Sequence, residues 1–356
     1  MRCTFVSANR IINFIKRERI YIFLLIFVIL AHISFSLSTW LLHDSGLDKI
    51  FEQEKLREEA LIFNEKITEA ITSNPFLFFI FSLLIIGIIL FAVGGVIIDI
   101  MYLYLSRKKE NPIRQTQVIG KSRWDFWDIC KVAIIFFFAQ YVLWFANIFM
   151  FAGISALNAK EGLMLVLSTT LADITAIAAV IYFVLTERKQ SIASLGLTVK
   201  RFFSNIKYGV FAYIGLIPIL LSVVFLTTAI FKIFNIPVEP QPILVILERE
   251  NDVFTLIYMG FFTMFLGPIL EEIFFRGFAY TVFRKRLGIL GGIVLSAAFF
   301  AYLHSNLAGF FPIFCLGMLL AYIYEKTGSL ISAITVHIIH NSATFAFLLF
   351  LKGAAA

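Results

Sequence analysis

A chain of 356 residues that is 60% hydrophobic and 15% charged, with phenylalanine alone at 42 positions, carries more apolar surface than a water-soluble domain can hide. Lipid meets such surface in a polytopic membrane protein. The formal charge of +7 is gathered in loops between apolar runs, which reads as membrane orientation; no basic patch lies on a soluble domain, so nucleic-acid binding has no support.

In chain order, residues 1–19 carry Arg2, Arg10, Lys16, Arg17 and Arg19 against one acid, Glu18. The apolar run from Ile20 to Leu42 follows without a small-residue cleavage site, which predicts an uncleaved first span. Residues 43–74 are rich in glutamate, with Ile50, Phe51, Leu56, Leu61, Ile62 and Phe63 recurring between the acids, a pattern that suggests a surface helix. Pro75 opens a second span from Phe76 to Leu105. A basic connection from Ser106 to Cys130 ends on Trp124, Phe126 and Trp127, expected at the membrane interface.

Spans three and four are predicted over about Lys131–Ile154 and Leu163–Leu185. A second basic loop carries Arg188, Lys189, Lys200, Arg201 and Lys207, and its Ser194–Leu197 stretch is expected to be a turn feeding an amphipathic surface element. Span five follows from Tyr208 to Phe234. Beyond the proline-containing, acidic loop from Asn235 to Asp252, span six runs from Val253 through Glu271 and Glu272. Spans seven to nine are Leu287–Leu303, Phe310–Tyr324 and Leu330–Leu351.

The fold class is therefore all-α, a transmembrane helical bundle of about nine spans. The positive-inside rule puts the N-terminus in the cytoplasm and the C-terminus outside. No internal repeat is visible. The chain divides into an accessory membrane region, 1–190, of about four spans; a region holding most of the intramembrane polar chemistry, 191–351; and a tail, 352–356, to which no function is attached. Cys3, Cys130 and Cys315 lie far apart and suggest neither a disulfide framework nor a CxxC site.

Polar residues inside apolar spans are costly and point to function. The stretch from Gly267 to Gly277 places Glu271, Glu272 and Arg276 in such a span. On a helix Glu272 and Arg276, four apart, form an ion pair on one face. Glu271 is rotated by about 100° from Glu272 and lacks that partner. One carboxylate is neutralised and the other is left for chemistry, unless all three charges serve one packing network. His304 follows Phe300 by one turn, His337 and Asn341 share a stripe, and His340 lies at its edge. Glu271, His304, His337 and Asn341 together supply a general base, imidazoles and an amide donor, the parts of water-assisted acyl transfer.

Elsewhere, His32 reads as a packing or hydrogen-bonding residue, His43 as solvated, and Asp99 as paired or snorkelling. Asp173, mid-span, is either an ion or proton site or, the favoured reading, an interhelical hydrogen bond.

The ordered motifs, EExxxR at Glu271–Arg276, FxxxH at Phe300–His304 and HxxxN at His337–Asn341, resemble those of the CPBP family of intramembrane endopeptidases, which includes the type 2 CAAX prenyl endopeptidases. The resemblance spans about residues 195–345. It implies that Glu271 activates the hydrolytic water, that Glu272 and Arg276 support its helix, that His304 helps hold the water, and that His337 and Asn341 stabilise the oxyanion. His340 is outside the motif.

The expected activity is endopeptidase cleavage of peptide or membrane-protein substrates, lipidated or not, in the bilayer and without a cofactor. The alternative is a zinc site of Glu271, His304 and His337. Two other classes stand beside it: a catalytically idle scaffold or immunity protein of the same fold, and a proton-coupled transporter. One geometric difficulty is evident. A straight helix from Leu287 lifts His304 by about 25 Å, whereas His337 lies only about 10 Å into its own span. The two meet only if span seven tilts or starts below the membrane, or if its predicted ends are misplaced. Gly288, Gly291 and Gly292 suggest a later helix start.

Overall fold

The structure, a computed structural model, describes residues 2–42, 62, 65–106, 122–153, 161–236, 247, 250–304 and 307–355. These are almost wholly helical and contain no strand. The helices are α1 (Arg2–Leu42), α2 (Pro75–Ser106), α3 (Phe126–Gly153), α4 (Glu161–Tyr182), α5 (Phe202–Ile233), α6 (Val253–Phe261), α7 (Gly267–Glu272), α8 (Thr281–Leu303), α9 (Leu307–Thr327) and α10 (Leu330–Ala355). Wider π-helical turns extend α4 over Phe183–Glu187, link α6 to α7 over Phe262–Leu266, and link α7 to α8 over Ile273–Tyr280. Most of the acid-rich stretch, His43 and the proline loop fall outside the described residues. Residues 65–73 of that stretch are helical, and Asn74 then caps α2 by accepting from the amides of Phe76 and Leu77.

Seven helical stretches among the described residues are long and apolar enough to cross a membrane. One of them, Val253–Leu303, has 51 residues, which as a straight rod is about 75 Å, more than twice the ~30 Å hydrocarbon core. It is not straight. Gly288 has φ 74° and ψ −176°, a conformation essentially restricted to glycine, and there the chain doubles back. Ser296 donates to the Phe275 carbonyl at 3.3 Å across 21 residues of sequence, a separation of about 31 Å on a continuous helix. Counting this hairpin as two crossings gives eight among the described residues, and α1 is the helix over the expected first span.

The hairpin also resolves the depth difficulty. A Cβ on Gly277 would lie 2.9 Å from the Leu195 carbonyl and 3.4 Å from Leu330, so Gly277 is level with the start of α10. From there Glu271 is six residues up one helix and His337 seven up the other from Leu330, about 9 and 10 Å respectively. The turn at Gly288 lies further down, below the start of α10. His304, sixteen residues after the turn, returns to the height that Glu271 left. Span seven does start below the level of span nine, and it does so directly at Gly288 rather than after the later glycines.

Two expectations about the loops are corrected. The Ile192–Leu195 segment is a single 3-10 turn whose fully buried Leu195 docks in the core, with its carbonyl accepting from Tyr324 and that of Gly196 accepting from Leu330. It leads straight to α5, leaving no separate surface element. Trp124 is not interfacial: it is 1% exposed, stacks on Phe278 at 5.5 Å, and donates to the Phe278 carbonyl and the Thr281 hydroxyl. Around it lies the main core, joining α3, α4, the 273–280 turn, α8 and α9. Ion pairs fasten this end: Arg188 with Asp128 at 2.6 Å and Arg284 with Glu325 at 2.7 Å.

Candidate active site

Glu272 and Arg276 form the expected ion pair, at 2.8 Å and with both side chains fully buried. The guanidinium also donates to the Gly317 carbonyl at 3.4 Å and lies 4.3 Å above the Phe300 ring. The same carboxylate oxygen of Glu272 takes a second bond, from Nδ1 of His337 at 2.9 Å. Since Arg276 requires Glu272 to be an acceptor there, the His337 nitrogen is the donor, and its proton sits on Nδ1.

His304 is fixed in the same way. Its Nδ1 lies 2.8 Å from the Phe300 carbonyl, an obligate acceptor, so this ring too carries its proton on Nδ1. In its neutral form each ring then presents the Nε2 lone pair outward, and both Nε2 atoms face one atom. Oε2 of Glu271 lies 3.6 Å from Nε2 of His337 and 3.9 Å from Nε2 of His304. These separations exceed a direct hydrogen bond. Glu271 Oε2 has no hydrogen-bond partner among the described residues. Phe300 packs against both rings, at 4.4 Å from His304 and 5.6 Å from His337 between centroids. The phenylalanine of FxxxH is thus a wall shared by two imidazoles and a guanidinium, a role the sequence spacing alone did not reveal.

Asn341 reaches the site by a route that periodicity could not show. Its amide donates to the Thr263 carbonyl at 3.0 Å. That carbonyl is available for a local reason. The Gly267 amide goes to Phe262, and Pro268, the π-helical donor position for Thr263, has no N–H. Pro268 was the legible signal. His340 turns away to Tyr213, with 3.3 Å between Nδ1 and the hydroxyl.

A cavity of about 530 Å³ opens beside Glu271 and His304. Its far wall comes from α3 and α4 and includes Gln140 and Asp173. The interhelical hydrogen bond expected of Asp173 is not made; among the described residues its carboxylate has no hydrogen-bond partner, because it faces the cavity rather than a neighbouring helix. Asp99 makes no ion pair among the described residues and instead packs against Gly215, where a Cβ would lie 2.8 Å from its oxygen. His32 bonds to Tyr141 at 2.8 Å, the packing role expected of it. Cys130 and Cys315 are free thiols.

Among the described residues no three His, Cys, Asp or Glu side chains are gathered as a metal-ligand group. Glu271, His304 and His337 nevertheless offer a carboxylate oxygen and two imidazole lone pairs, a donor set whose chemistry suits zinc.

Residues 253–343 match the family model described as Type II CAAX prenyl endopeptidase Rce1-like. This match supports the resemblance to the CPBP/CAAX proteases. The matched segment is about a quarter of the chain and contains all seven motif residues, from Glu271 to Asn341. No curated protein and no solved structure matches the chain. The chain is an integral, multi-pass membrane protein. Helices α1 to α5 lie outside the matched segment, although α3 and α4 complete the cavity at the site.

Proposed function

We propose that the protein is an intramembrane endopeptidase that hydrolyses peptide bonds of membrane-associated or lipidated substrates, using a water activated by Glu271. The observation that carries this reading is the convergence of three acceptors, Glu271 Oε2 and the two imidazole Nε2 atoms, at separations of 3.6 and 3.9 Å. Acceptors so placed need a donor between them, and a water molecule has two protons to give. Glu272 cannot serve as the base in its neighbour's place, because it is fully buried and held by Arg276 and His337.

In the proposed reaction Glu271 takes a proton from the water while His304 orients it. The water oxygen attacks the peptide carbonyl, forming a tetrahedral oxyanion. The second N–H of Asn341 meets that charge, while His337, accepting from the water through Nε2, helps position the water. Glu271 passes its proton to the leaving nitrogen, the C–N bond breaks, and an acid and an amine leave. The apolar surroundings strengthen each of these electrostatic contacts. If zinc occupied the same donors, Glu271 would become a ligand and the base would have to be Glu272, which is committed to Arg276 and His337, or Asp173 across the cavity.

The test is cleavage profiling in membranes carrying the native chain or Glu271→Gln. Peptide termini present only with the native chain support hydrolysis by Glu271 and identify the substrate. Identical termini in both membranes favour the idle-scaffold reading instead.

A further inference from the structure

The wall of the cavity opposite Glu271 carries polar groups that the reaction above does not use. Most of the lining is phenyl and aliphatic, including Phe136, Phe137, Phe274 and Phe299, and no lysine or arginine lines it among the described residues. Two of its polar groups are already committed: the Thr169 hydroxyl donates to the Leu165 carbonyl at 3.0 Å, and the Tyr141 hydroxyl bonds to His32 at 2.8 Å. Asp173 and Gln140 are not. Neither has a hydrogen bond or ion pair among the described residues, and both face the same space as Glu271 and His304.

A carboxylate in an apolar intramembrane wall is costly unless something pairs with it. Among the described residues the cavity supplies no cation and two carboxylates of the same sign, Glu271 and Asp173. A volume of about 530 Å³ holds a long side chain together with adjoining peptide backbone. A lysine or arginine side chain meets all of these features, with its methylene stem against the phenylalanines and its charged head on the carboxylate. Arginine adds a planar fork that a carboxylate can accept bidentately.

We propose that Asp173, assisted by Gln140, is a specificity-determining residue that receives a basic side chain of the substrate close to the cleaved bond. The proposal rests on the endopeptidase reading and narrows its substrate class. Asp173 lies outside the segment that matches the family, so the preference belongs to this chain's accessory helices.

The test uses the full chain in lipid vesicles and a series of membrane-anchored peptides that differ at one residue beside the cleaved bond: Arg, Lys, Gln, Glu or Leu. The native protein should favour Arg or Lys over Leu in kcat/KM by about tenfold or more, the size expected of a charge-assisted hydrogen bond away from water. Asp173→Asn should remove that ratio, and Asp173→Lys should shift the preference to Glu. A ratio unchanged by Asp173→Asn overturns the proposal.

A second arm measures equilibrium binding of fluorescent Arg and Leu peptides to Glu271→Gln, alone and combined with Asp173→Asn. Tighter binding of the Arg peptide that disappears in the double variant supports the proposal; equal binding of the two peptides overturns it. Because binding needs no turnover, an absence of cleavage by the native chain refutes the endopeptidase reading and leaves this arm to decide the role of Asp173.

Discussion

The side-chain amide of Asn341 donates to the backbone carbonyl of Thr263 at 3.0 Å, tying α10 to the π-helical turn just before Glu271. One N–H of the amide is used in this way, and in the proposed reaction the other meets the oxyanion. Replacement of Asn341 by Leu removes both functions. The expected outcome is a fall in kcat of about 10²–10³, the usual loss for an oxyanion donor, with folded yield largely kept. Steady-state kinetics on protein of matched monodispersity checks it.

Pro268 makes that tie possible by withholding a donor from Thr263. Pro268→Ala restores an N–H that competes for the carbonyl. We expect a several-fold loss of kcat, in line with about 1 kcal/mol for one hydrogen bond, and a smaller effect in a chain already carrying Asn341→Leu. A double-mutant cycle in kcat/KM measures the coupling.

Arg276 and Glu272 behave differently from Glu271. Removing either one leaves a buried charge unpaired, at a cost of about 3–5 kcal/mol, so Arg276→Ala and Glu272→Gln should lower detergent-extracted folded yield as well as activity. Glu271, with its side chain 27% exposed and without such a partner, should give normal yield as Glu271→Gln. Size-exclusion profiles of the three variants compare them directly.

Gly288 turns the long helix into a hairpin at φ 74°. Gly288→Ala should destabilise the protein by about 1–3 kcal/mol and displace His304. Thermal unfolding in detergent should show the shift, and activity should fall in parallel.

Much of this was legible in the sequence, and particular residues show why. Glu272 and Arg276 are four apart on one helix, so helical period alone predicted their pair. The all-α bundle was legible because the length and hydropathy of each apolar run are local properties. The depth of His304 was not local. It depends on Gly277 lying beside Leu330, a contact between segments far apart in sequence. The role of Thr263 was hidden because its carbonyl is released only by a change from α- to π-helical bonding. Trp124 looked interfacial by its neighbours and is buried because Phe278 and Thr281 offer it a stacking face and acceptors. Asp173 was read as a helix-to-helix contact since sequence does not show a cavity.

Orientation follows from the distribution of basic residues. Single cysteines introduced at 188–207, in a chain lacking its native thiols, should be labelled from the cytoplasm, and those at 65–74 from outside. Labelling of both sets from one side contradicts the nine-span arrangement.

The central claim is that the Glu271 carboxylate activates water, and the rate of hydrolysis by purified native protein and Glu271→Gln on one substrate tests it most directly. Both samples are assayed in the same vesicles, at equal folded concentration and with metal content determined. Loss of the general base should lower kcat by about 10²–10⁴ without restoration by added zinc. Turnover by Glu271→Gln close to the native rate, or native turnover that chelation abolishes and zinc restores, contradicts the assignment.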